Sequence, residues 1–276
     1  MSRDRDEAHV RAEGTPMSPR ERARRGRLTV LLRLVTVLLL GGCASTRAQE
    51  NIGMKNIVLV HGAWADGSGW QGVHDLLTAR GYTVSVVQNP VTSLADDVAA
   101  VNRVVARQDG PTLLVGHSYG GVVITEAGAA ANVAGLVYVA AFAPDVGESV
   151  SSLIAGGQPP PVQPSQDGFL FFDPKVFPEA FAQDLAPKQA AFLATTQVPA
   201  AVAAFEAKVS QAAWKTRRSW YVLSKDDRII PPAAQRQMAM RAGATITEVA
   251  GSHAVYISQP QAVADVIESA ARAVGR

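Results

Sequence analysis

Cysteine is almost missing from this chain: Cys43 is the single one in 276 residues, which excludes an internal disulfide. Charge is also sparse, with 18% of residues charged and a formal net charge of +2. That value hides an asymmetry. Residues 1–50 hold ten Arg or Lys and six Asp or Glu, leaving sixteen and eighteen beyond, so the rest of the chain carries about −2. A nucleic-acid binder needs a basic stripe to displace phosphate counterions, and no such stripe is present. No His, Cys, Asp or Glu cluster stands at metal-ligand spacing, and no repeat of fixed period occurs. The apolar stretch Leu34 to Leu40 falls short of the roughly 20 apolar residues that span a bilayer.

What is present is apolar mass. At 47% hydrophobic, the chain is long enough for one catalytic body with an inserted cap. Residues 1–50 read as a leader: an Arg-rich run from Arg20 to Arg27, the stretch Leu34 to Leu40, then small residues. Leu40-Gly41-Gly42-Cys43 resembles a bacterial lipoprotein signal, with cleavage before a cysteine that is then lipidated, which makes Cys43 a lipidation candidate. Cleavage near Ala48 would instead release a soluble protein, Arg24-Arg25 resembles a twin-arginine signal, and Met17 is an alternative start. Each route predicts export.

From residue 51 onward, short apolar runs alternate with helix-like segments, the pattern of successive βα units and a parallel sheet. Six strands are expected: Ile57 to Val60, Tyr82 to Val87, Thr112 to Val115, Val133 to Ala140, Trp220 to Leu223 and Thr245 to Val249. Several are nearly all apolar, as strands covered on both faces should be. Helices from Trp70 to Arg80 and from Pro232 to Ala242 stop at Gly81 and Gly243. Ser93 with Asp96 resembles a capping box. The last helix sets Val263, Val266, Ile267, Ala270 and Val274 on one face. The alternation lapses over about 145–218, where a Gly- and Pro-rich stretch precedes Ala- and Phe-rich segments. These are expected to form a helical cap, and some of Phe169, Phe171, Phe172, Phe177, Phe181 and Phe192 are placed to line a substrate cavity.

The chemistry centres on Gly116-His117-Ser118-Tyr119-Gly120. A G-x-S-x-G match alone arises by chance in about one chain in ten of this length, given the usual abundance of Gly and Ser. Here it follows the strand Thr112 to Val115 and opens a helix-like run, the strand-turn-helix context in which a strained turn lifts a serine hydroxyl above a sheet. A serine hydroxyl needs a general base, usually a histidine oriented by a carboxylate. Of five histidines, His9 lies in the leader, His74 sits beside Asp75 in a helix, and His117 is inside the turn itself. His61 ends the first strand and is read as structural, which leaves His253 in the loop Gly251-Ser252-His253-Ala254. The acid is sought after a strand between Ser118 and His253, where Asp226 and Asp227 compete. Asp227 is favoured because an acid, two residues and then an aliphatic-Pro step often recur at this position. The developing oxyanion needs two N–H donors, which this motif takes from the residue after the nucleophile, Tyr119, and from the loop after the first strand, Ala63.

Taken together, Val58-Leu59-Val60-His61-Gly62-Ala63-Trp64, the elbow around Ser118, Asp227-Arg228-Ile229-Ile230-Pro231-Pro232 and Gly251-Ser252-His253 resemble the α/β-hydrolase superfamily. Within it they are most similar to bacterial small-ester hydrolases related to plant methyl esterases and hydroxynitrile lyases. The resemblance runs from about Asn56 to Val274 and implies a mostly parallel sheet of about six strands flanked by helices. It implies a serine hydrolase of small to medium carboxylic esters, working without a cofactor through an acyl-enzyme. The antiparallel entry strands usual in that family are not expected, since too few residues separate the leader from Ile57. Lyases of that group carry a Thr where Gly62 stands and a Lys where Ala254 stands, and relatives with an Asp nucleophile differ at Ser118. Two other readings use the same scaffold: a ligand-binding protein, or an acyl transferase or perhydrolase with the same three residues.

Overall fold

The computed structural model describes residues 54–157 and 160–275, all within one compact unit spanning Asn51–Arg276. The leader and Cys43 lie outside the described residues. Among the latter, no helix is long and apolar enough to cross a membrane.

Six parallel strands form one sheet: β1 (Asn56–Val60), β2 (Thr83–Val87), β3 (Thr112–His117), β4 (Val133–Val139), β8 (Arg218–Ser224) and β9 (Thr245–Val249). Their spatial order is β2-β1-β3-β4-β8-β9, and every neighbouring pair is parallel. The six expected strands are all present, β9 with the expected ends and the others shifted by one or two residues. β1 and β3 are buried at every position, because helices cover both faces. The edge strands β2 and β9 reach burial only near their C-terminal ends.

The two-residue period of the strands divides the core in two. Val58, Val60, Leu114, Leu136 and Tyr138 face the side carrying α2 (Leu94–Val105) and α3 (Gly120–Ala127). Ile57, Leu59, Leu113, Val115 and Val137 face α1 (Gln71–Ala79) and the last helix, α10 (Pro260–Val274). α10 buries Val263, Val266, Ile267 and Ala270 there, as its spacing requires. α1 and α8 (Pro232–Arg241) end before Gly81 at φ 89° and Gly243 at φ 60°, the left-handed conformation glycine tolerates best.

Two local readings change. Ser93 caps α2 by accepting from the Asp96 amide. The Asp96 carboxylate, however, takes the hydroxyls of Ser93 and Thr92 instead of a backbone N–H, so the box is incomplete. A complete box occurs at Ser149 and Ser152, where α4 (Val150–Ile154) begins. The insertion between β4 and β8 is also only partly helical. It carries α4, α5 (Phe177–Phe181), α6 (Pro187–Thr195) and α7 (Val202–Glu206), but also an antiparallel sheet of β5 (Val162–Pro164), β6 (Phe169–Phe172) and β7 (Ala200–Ala201). Gly168 at φ 86° turns the chain from β5 into β6, and the aromatic run Phe169-Leu170-Phe171-Phe172 suits a pleated, half-buried surface better than a helix.

Candidate active site

Parallel strands end on the same side of the sheet, so the loops after β1, β3, β8 and β9 converge there. Those four loops hold Ala63, Ser118, Asp227 and His253. Ser118 occupies the turn between β3 and α3 at φ 53°, a conformation strained for a residue with a Cβ. The turn is held by Ser118 N–H to the Val139 carbonyl at 3.3 Å and by Gly121 N–H to the Ser118 carbonyl at 2.9 Å. Its glycines are needed for clearance. A Cβ on Gly116 would meet the Gly120 carbonyl oxygen at 2.5 Å, and one on Gly120 would meet the Val60 carbonyl oxygen at 2.7 Å.

A hydrogen-bonded relay joins the three side chains. His253 Nε2 lies 2.8 Å from Ser118 Oγ, and its Nδ1 lies 2.8 Å from Asp227 Oδ2. With the Nδ1–H tautomer the imidazole donates to Asp227 and accepts the serine proton at Nε2. Asp227 Oδ1 accepts the amides of Ile229 at 2.7 Å and Ile230 at 3.0 Å, so its carboxylate is fixed. Asp226 points elsewhere: its carboxylate accepts the Gly251 amide at 3.1 Å and its carbonyl accepts Gln183 Nε2 at 2.7 Å.

The loop after β1 abuts Ser118. A Cβ on Gly62 would come within 2.7 Å of Ser118 Cβ, so only glycine lets the strand end pass so close. Ala63 and Tyr119 are both buried, and neither amide has an acceptor among the described residues. His61 bonds its own loop, with Nδ1 2.9 Å from the Gly62 carbonyl. His74 pairs on the surface with Asp75 at 2.9 Å.

Several participants were not legible beforehand. Gln235 on α8 is fully buried and donates to Asp227 Oδ2 at 2.8 Å and to the Ile230 carbonyl at 2.7 Å. Asp184, from the insertion, accepts the Ser252 amide at 2.9 Å and the Ser258 hydroxyl at 2.6 Å, which ties the insertion to the histidine loop. Burial pushes the Asp184 carboxyl up, but these bonds outweigh it and hold it below the ordinary range. His117 donates Nε2–H to the His253 carbonyl at 2.8 Å, while its Nδ1 has no partner among the described residues. Burial, followed by the neighbouring His253, drives the His117 imidazole well below its usual value.

The insertion closes over the relay with aromatic rings. Phe181 sets its edge against the His253 ring at 4.6 Å, and Phe172 and Phe177 pack behind it at 6.2 and 4.5 Å. Trp64 meets Phe172 and Phe205 at 5.4 and 5.5 Å, and its indole N–H donates to the Leu170 carbonyl at 2.9 Å. Of the six candidate phenylalanines, Phe172, Phe177 and Phe181 are thus buried, Phe169 is half-buried, and Phe171 and Phe192 face solvent. Ser118 is 4% exposed and His253 fully covered, so the relay lies under this layer. A cavity of about 400 Å³ lies beside the loop after β8, lined by apolar Phe142, Leu153, Ile154, Ile229, Ile230 and Met238 and by charged Glu148, Arg228 and Arg241. Neither Ser118 nor His253 lines that cavity; Phe142 does, and its amide donates to the Ser118 carbonyl at 3.2 Å.

The chain resembles a pyrethroid hydrolase of Sphingobium wenxiniae, at 28% identity over 78% of this chain and 86% of that protein. An alpha/beta hydrolase of Aspergillus novofumigatus, nvfD, is 25% identical over 78% of this chain and 96% of its own length. A pyrethroid hydrolase from Sphingobium faniae JZ-2 superposes with a TM-score of 0.69 at 25% identity, covering 79% of this chain and 98% of that structure. The model of the alpha/beta hydrolase family matches residues 57–266, from β1 through the serine turn, the acid loop and the histidine loop into α10, and the chain belongs to that family.

Proposed function

We propose that the chain is a serine carboxylic-ester hydrolase acting on uncharged, apolar esters of small to medium acyl and alcohol groups. The observation that carries this reading is the relay, with two hydrogen bonds of 2.8 Å aligned on a serine in a strained turn. In the first step Ser118 Oγ bonds to the ester carbonyl carbon while its proton passes to His253 Nε2. Asp227 holds the imidazole in the required tautomer and stabilises the cation that forms. The carbonyl oxygen becomes an oxyanion facing the amides of Ala63 and Tyr119. Collapse breaks the bond to the alcohol, which leaves with the proton from His253. Water then repeats the sequence on the acyl-enzyme and releases the acid. The aromatic cover of Trp64, Phe172, Phe181 and Phe205 favours apolar substrates. Names of relatives support the reading: pyrethroid hydrolase for hydrolysis, and for an ester a carbendazim hydrolyzing esterase from a Nocardioides species that is 32% identical over 40% of this chain and 51% of its own length.

The test is Ser118→Ala assayed on a chromogenic ester and with a fluorophosphonate probe. Turnover is expected to fall by about three or more orders of magnitude, with loss of probe labelling. A wild-type rate in the variant would end the proposal, and failure of the probe to label the unaltered protein would favour a ligand-binding role. A panel of esters graded by acyl length and by alcohol is expected to show turnover concentrated on short and medium groups.

A further inference from the structure

Asp97 is a fully buried carboxylate that the reaction outlined above does not use. It lies in the first turns of α2, on the side of the sheet that carries the serine turn. Burying a charge is costly unless it is paired by hydrogen bonds, and both oxygens of Asp97 are paired. Oδ2 accepts the Tyr119 hydroxyl at 2.7 Å, and Oδ1 accepts the Val91 amide at 2.7 Å. Burial raises the Asp97 carboxyl, with these two bonds opposing the rise. Burial and the facing carboxylate raise the Tyr119 hydroxyl well above its ordinary value, so the phenol remains the donor.

Both partners lead to the reaction centre. Tyr119 follows the nucleophile, and its amide is one of the two oxyanion donors under the esterase reading. The phenol ring therefore anchors at its far end the residue whose near end must face the oxyanion. Val91 is a β-branched residue at φ 56°, a conformation that persists only where its surroundings enforce it. The Asp97 carboxylate enforces it by taking the Val91 amide. The Val91 carbonyl then accepts the amide of Ala201 at 2.9 Å, the point where β7 of the insertion meets the core. Phe205, four residues further along, lies 5.7 Å from the Tyr119 ring.

We propose that Asp97 is a positioning residue for the oxyanion site: it holds Tyr119 through its hydroxyl and seats the insertion on the core through Val91. The inference rests on the esterase reading. Catalysis by preorganised donors depends on small displacements, since removing one oxyanion donor outright costs about 100- to 1,000-fold in rate. A slackened donor should cost a fraction of that. It should weaken the transition state and leave the ground-state complex nearly untouched.

The experiment measures kcat and KM on a chromogenic ester, and the affinity of a trifluoromethyl ketone that mimics the tetrahedral intermediate, in Tyr119→Phe, Asp97→Asn and the double variant. Tyr119→Phe keeps the ring and removes only the hydroxyl, so it remains informative if the Asp97 variants fail to fold. Each single variant is expected to lose about tenfold in kcat, with KM within about twofold and ketone affinity weakened by the same factor as kcat. Acting through one bond, the two changes should not multiply in the double variant. Wild-type kcat and ketone affinity in Tyr119→Phe would overturn the inference, as would a loss carried by KM alone or losses that multiply. Fluorophosphonate labelling of Ser118 in the unaltered protein separates the two levels. Without labelling the esterase reading falls and takes the inference with it, whereas labelling with an unimpaired Tyr119→Phe overturns the inference alone.

Discussion

Asp226 and Asp227 are adjacent in the chain and opposite in environment. Asp227 is 5% exposed and accepts from His253, Gln235 and two backbone amides, whereas Asp226 is exposed and braces the loop at Gly251. Asp227→Asn is therefore expected to lower kcat by about four orders of magnitude, because the amide favours the wrong imidazole tautomer. Asp226→Asn should change kcat by less than about tenfold. Steady-state kinetics on one ester checks both, and equal losses would mean that the acid had been misassigned. Residue types and order narrowed the acid to these two neighbours, and the Ile230-Pro231 step favoured Asp227. Which of them turns toward the imidazole depends on where α8 places Gln235 and on the amides of Ile229 and Ile230, neither of which is visible in a linear pattern.

At the scale of elements, the six core strands and their helices were legible because the strands are short apolar runs and the helices between them carry turn and periodic signals. The insertion was not, because its short segments take their structure from what they pack against. Phe169 to Phe172 became a strand that pairs with both Val162 to Pro164 and Ala200-Ala201, and its buried end supports the ring layer over His253. Phe181 lies at the point where that layer touches the imidazole. Phe181→Ala removes a side chain that is 1% exposed and should destabilise the protein by about 3 to 5 kcal/mol through lost contacts and a cavity. A shifted midpoint in urea unfolding with an unchanged slope would record it. A shift below about 1 kcal/mol would mean that the insertion contributes little to the cooperative unit.

At the scale of the whole molecule, two buried histidines link folding to pH. Burial lowers the imidazoles of both His61 and His117 below their ordinary value near 6.5. Their stabilising contribution is complete above about pH 6.5, where they are neutral in the folded and unfolded chain alike. It is lost as pH falls below that value, because the unfolded chain takes up protons that the folded one excludes. Each contributes at most about 1.4 kcal/mol per pH unit, and only between its ordinary value and its lowered folded one, so the larger share falls to His117. Thermal melts from pH 7.5 down to 5.0 should show a falling Tm, and His117→Gln should flatten the decline; a flat profile in the unaltered protein would contradict it. Outside the described residues, we propose that the leader directs export with lipidation at Cys43. Labelled palmitate is expected to enter the full chain in a bacterial host and not Cys43→Ser. Export without label would point to cleavage near Ala48, and an unprocessed internal chain would exclude export.

Through the alternation of apolar runs with helix-like segments and the spacing of a few motifs, the amino-acid order by itself determined the parallel sheet, the serine turn and the single histidine free to serve it. Those are local properties, set by neighbours in the chain. The tertiary structure alone decided that Asp227 and not Asp226 meets His253, that a buried Gln235 and Asp184 brace the relay, and that Asp97 grips Tyr119. These pairings are between residues 8 to 68 positions apart in the chain. They form because parallel strands bring loops from distant segments to one end of the sheet, where burial leaves each polar group to find a partner.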